Sequence, residues 1–148
     1  MHAVRALGER FSFPEGVRLI DGGTKGLELL PYVEGDHLML LDAVDFGAAP
    51  GTVRMIEGDG IHAFLDMKFS VHQIGVPDLL FAAMLTDVLP KDVCLVGIQP
   101  KWLEAGLELT DVVRGKMDEL LGMAVERLRS WGVEVAIKEA ADVSCDSL

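Results

Sequence analysis

Positive charge is scarce in this chain. Thirteen Lys and Arg stand against 24 Asp and Glu in 148 residues, a formal net charge of −11 with a pI near 4.6. With no basic patch along the sequence, a phosphate backbone would repel it, which argues against nucleic acid as a partner. Long apolar runs are missing too. None approaches the roughly 20 residues that span a bilayer, and the first residues carry no signal-peptide pattern, so no membrane association is expected. Cysteine is nearly absent, with Cys94 in an apolar run and Cys145 in a polar stretch. Two cysteines so placed are no disulfide framework and predict a reducing, cytoplasmic setting, with Cys94 a small buried hydrophobe. No G-x-S-x-G elbow, P-loop, H-E-x-x-H or strand-following G-x-G-x-x-G occurs. A nucleotide-binding reading therefore lacks its phosphate cradle. The nearest stretch, DGGTKG at 21–26, has the wrong spacing and places an acid where phosphate would sit.

What is present is globular. Half the residues are apolar and a quarter charged, and the length suits one domain with a sizeable core. Residues 1–137 form the expected domain and 138–148 a loose acidic tail. Met1, Val4, Leu7 and Phe11 stripe an amphipathic helix. Residues 17–20 predict a strand ending in a turn at Asp21, Gly22 and Gly23, with Thr24 as the N-cap of a short helix that ends near Pro31. The run 38–41 predicts a buried strand, 52–60 a more exposed one, and 93–98 a third buried strand. Residues 61–67 and 76–90 read as helices separated by a loop. From Thr110, apolar residues recur every three or four positions to Trp131, a long helix closed by Gly132. Residues 133–137 suit a short edge strand.

Apolar strands alternating with amphipathic helices predict a single three-layer α/β domain, with helices on both faces of a twisted, mainly parallel sheet. Three strands end on polar or turn residues: Asp21 to Thr24, Asp42 to Asp45, and Gly97 to Pro100. Ligands of open parallel sheets bind outside the carboxyl ends of strands, so these motifs share one expected rim. Asp42 stands out, because a carboxylate ending a buried strand is costly unless paired, hydrated or coordinated. His72 lies in a loop before a helix. It reads as solvated or, together with a carboxylate, as a ligand for a divalent transition metal such as nickel or zinc. The DGGT stretch reads as a turn, or as a weak trace of paired-aspartate proteolysis.

Four segments in order, LIDGGTKGLELL, LLDAVDFGAAPGTVRMIE, SVHQIGVPDLL and CLVGIQP, resemble the nickel–iron hydrogenase maturation endopeptidases over residues 1–131. The resemblance implies an α/β fold and an activity, removal of a C-terminal extension from the hydrogenase large-subunit precursor after nickel insertion. By motif it places Asp42 and His72 as ligands of nickel carried by the substrate, with no organic cofactor, and Asp21, Gly22, Gly23 and Thr24 as substrate support. The family's pattern opens with a strand and a GNxLxxDEGxG-like loop bearing a further Glu ligand. This sequence starts inside the following helix, which predicts an unpaired sheet edge and self-association through it. It also leaves a second reading, a truncated, non-catalytic homologue that binds precursor or metal.

Overall fold

The run VCLVGI is apolar at every step because both of its faces are covered. It forms most of β4 (Asp92–Ile98), the middle strand of a three-stranded sheet in the order β2-β4-β3. Here β2 is His37–Ala43 and β3 is Val53–Glu57. Alternate residues of β4 serve opposite layers, as strand geometry requires. Cys94, Val96 and Ile98 join a core built with α1 (His2–Arg10) and α5 (Met117–Ser130). Val93 and Leu95 join another with α2 (Asp59–Lys68) and α3 (Val76–Leu85). The chain is thus an α/β domain with helices on each face of its sheet. This computed structural model describes residues 2–22, 26–68, 76–101 and 111–138; the expected acidic tail beyond Lys138 lies outside them.

Strand β2 runs parallel to β4, with His37 opposite Asp92 and Asp42 opposite Gly97. Strand β3 joins the other edge of β4 antiparallel, pairing Val53 with Ile98, so the described sheet is mixed. A second, two-stranded ribbon pairs β1 (Phe11–Ser12) with β5 (Ala136–Ile137). The expected edge strand at 133–137 therefore closes this ribbon and does not extend the main sheet.

Several local expectations change: the helix expected over 76–90 ends at Leu85, and the short helix expected to end near Pro31 is a 3₁₀ helix over Leu27–Tyr32. Residues 17–20 take no strand, although their composition suits one. Across from them, among the described residues, β2 has no hydrogen-bonded strand on its outer side. An apolar cavity of about 320 Å³ lies between, lined by Val17, Leu19, Ile20, Leu38, Leu40 and Leu41 among others. A strand needs a ladder partner, and this segment faces a void. The helix expected from Thr110 is interrupted: α4 (Asp111–Gly115) stops at a glycine, Lys116 makes a turn, and α5 begins at Met117. Glycine's poor helix propensity falls where the chain changes course. Its far end matches the expectation. Gly132 sits at φ +88°, its N–H bonds to Arg129 O, and Val133 N–H bonds to Leu128 O, the pattern of a Schellman cap.

Candidate functional site at the carboxyl rim of the sheet

Because β2 and β4 are parallel and in register, their carboxyl ends arrive together. Asp42 lies beside Gly97, and Val44 N–H continues the ladder to Ile98 O at 3.0 Å. The Asp42 carboxylate accepts the N–H of Ala43 at 2.9 Å. Although the residue keeps solvent-facing surface, the protein packed around the strand end raises its pKa above the usual carboxylate value. Desolvation outweighs the Ala43 hydrogen bond. A carboxylate kept from full hydration on a rigid strand is a ready ligand for a divalent cation, whose charge would offset that cost.

The chain then turns away from the sheet through residues 44–48. Phe46 folds back over the end of β4, close enough that a Cβ on Gly97 would stand 2.7 Å from its Cζ. Glycine is needed there for close approach, not for an unusual dihedral. Arg54 lies over the outer side of the Phe46 ring at 5.3 Å. Asp45 accepts the Gly47 N–H at 2.9 Å, forming the loop's own turn. Gln99, buried at 6 % exposure, donates through Nε2 to Asp45 at 3.3 Å. Its Oε1 accepts the N–H groups of Phe46 at 2.6 Å and Ala48 at 3.3 Å.

The first expected motif, at Asp21 to Thr24, is described in part. Asp21 is held by Arg5 of α1 at 3.2 Å. Gly22 packs under Leu29, whose Cδ1 would lie 2.7 Å from an added Cβ. Its φ is not positive, so close packing explains this glycine and a special backbone dihedral does not. Ile20 and Leu41 both line the apolar cavity, which places Asp21 and Asp42 one residue beyond its walls. Gly23, Thr24 and His72 lie outside the described residues, and among the described residues no three His, Cys, Asp or Glu side chains gather as a metal site. Of the three motifs, the structure joins the second and third, through Asp45 and Gln99. Gln99 received no role from the sequence. The signal available was an amide directly after a fully buried strand.

Fold and rim define a class: α/β proteins with an acid fixed at the carboxyl edge of the sheet. The family model described as hydrogenase maturation protease matches residues 1–127, and the chain belongs to that family. It is similar to the hydrogenase expression/formation protein HoxM of Azotobacter vinelandii, at 39 % identity over 94 % of this chain and 69 % of that protein. The hydrogenase 2 maturation protease of Escherichia coli strain K12 is 38 % identical over 93 % of this chain and 85 % of the relative. In structure it is similar to the hydrogenase maturating endopeptidase HybD from E. coli, with TM-score 0.81 and 36 % identity over 93 % of this chain and 86 % of the other. The chain is a peptide hydrolase of the hydrogenase maturation kind.

Proposed function

We propose that this protein removes the C-terminal extension of a nickel–iron hydrogenase large-subunit precursor after nickel has been inserted, and that it recognises the nickel already in its substrate. The observation that carries the reading is Asp42. Its carboxylate is fixed at the end of a parallel strand in register with Gly97 and is held from full hydration by the surrounding protein. Asp42 and His72 supply the oxygen and nitrogen ligands that a divalent nickel ion accepts. The turn at Asp21, Gly22, Gly23 and Thr24 supports the precursor beside them. Nickel is thus part of the substrate, and its roles are recognition and polarisation of nearby groups. The free thiol of Cys94, buried and pushed up to about 11 by desolvation and by Glu57, suits the reducing cytoplasm, where precursor would be met. The outer edge of β2, unpaired with any strand among the described residues, makes association of two copies the expected state of the isolated chain.

The test is direct. Nickel-loaded precursor mixed with the protein should yield a shortened large subunit by mass spectrometry, and Asp42→Ala or His72→Ala should abolish the shortening while sparing the fold. Normal processing by both variants would overturn the ligand assignment. Tight binding of precursor without shortening would favour the non-catalytic reading.

A further inference from the structure

We propose that Gln99 is a positioning residue, acting through the loop it clamps to set the orientation in which Asp42 meets its ligand. The proposal rests on the reading of Asp42 as a ligand for the substrate's nickel. Among the described residues Gln99 is the one buried polar or charged residue, and its hydrogen-bonding capacity is used on loop and turn. Its backbone N–H donates to Thr52 O and its carbonyl accepts from Gly51 N–H, each at 2.8 Å, which fastens it to the turn before β3. Its side-chain oxygen gathers the N–H groups of Phe46 and Ala48, and its side-chain nitrogen reaches Asp45. One residue at the end of β4 thereby joins the exit of β2 to the entry of β3.

The physical need is specific to this corner. Beyond Val44 the chain leaves the ladder, so the N–H groups of Phe46 and Ala48 have lost their strand partners. A buried amide oxygen supplies the missing acceptor for both. The amide can face one way only, since an NH₂ group turned toward Phe46 and Ala48 would set donors against donors. Phe46 is pressed on Gly97 from the same side. Asp42 therefore stands on a backbone held on one side by the ladder and on the other by a loop anchored three residues further on, and its carboxylate accepts the N–H of Ala43 within that held segment. A site ligand held this way loses little entropy on binding. The two apolar layers of the fold pack on β4 upstream of Gln99, so its amide serves the rim more than the core.

Gln99→Glu keeps acceptors for Phe46 and Ala48 but sets a second carboxylate against Asp45. Adding Asp45→Asn removes the repulsion and returns a donor–acceptor pair. The measurement is binding of each variant to nickel-loaded and nickel-free precursor, with the ratio of the two dissociation constants as readout, alongside thermal melting. A residue that merely stabilised the fold would lower both affinities together and leave the ratio alone. Gln99→Glu is expected to reduce the preference for nickel-loaded precursor about tenfold, the scale of one displaced charge-assisted contact. The double variant should recover most of it, and its melting temperature should rise from the lowered value of Gln99→Glu back towards the parent. An unchanged ratio in Gln99→Glu, or no recovery in the double variant, overturns the proposal. Asp42→Ala, run in parallel, separates the failures. If it abolishes the preference while Gln99→Glu does not, only the positioning role falls. If it leaves the preference intact, the ligand reading falls and takes this proposal with it.

Discussion

Asp42 bears a cost that its hydrogen bond from Ala43 only partly offsets, because the protein packed around it disfavours its charged form. The sign follows from linkage. With a folded-state pKa above the unfolded one, Asp42 favours folding while protonated, and that contribution is lost as pH rises through the folded pKa. At neutral pH the ionised group therefore opposes folding, and Asp42→Asn should melt at or above the parent temperature. The difference should vanish below about pH 4, where the parent carboxyl is protonated in both states. Scanning calorimetry across pH checks this, and the same variant should lack processing activity. Gly97 supplies a second prediction. A methyl added beneath Phe46 forces the loop outward, so Gly97→Ala should cost about 1–3 kcal/mol in denaturant melts and impair processing. At this scale Asp42 was legible, since an acid ending an apolar run is conspicuous in one dimension. Gln99 was not, because its significance lies in two N–H groups and one carboxylate more than fifty residues away.

Elements were most legible where their own residues decide them. Leu7 of the expected α1 stripe is buried beside Ala3, although Phe11 falls in β1, and the apolar continuity of β4 states that both its faces are covered. The end of α5 is equally local: a left-handed residue is required after Trp131, and Gly132 meets it. Gly132→Ala should destabilise the protein by about 1 kcal/mol, seen as a lower melting midpoint with an unchanged denaturant slope. Residues 17–20 show the opposite case. Their apolar composition is that of a strand, but hydrogen bonds define a strand and those depend on a neighbour. The direction of β3 is a similar matter, because alternation along residues 52–60 reads the same whether the partner runs parallel or antiparallel.

For the whole molecule, the apolar cavity beside β2 is the feature with the widest consequence. A sheet edge with no strand paired to it among the described residues, beside a cavity lined by Leu19, Leu38 and Leu40, is a template for another extended segment. Light scattering on the isolated chain should report a dimer. A stable monomer at high concentration would count against association through this edge. By contrast, Leu95→Ala, in a fully buried position of the central strand, should cost about 2–5 kcal/mol whatever the oligomeric state. Periodicity, apolar runs and turn residues determined by themselves the α/β class, the buried centre of the sheet, the helix stripes and the candidate acid at its rim. These are properties of a residue and its chain neighbours. The mixed strand order, the lack of a strand at residues 17–20 and the Gln99 clamp were decided by tertiary structure alone. Each depends on which backbone groups, far apart along the chain, come within hydrogen-bonding reach.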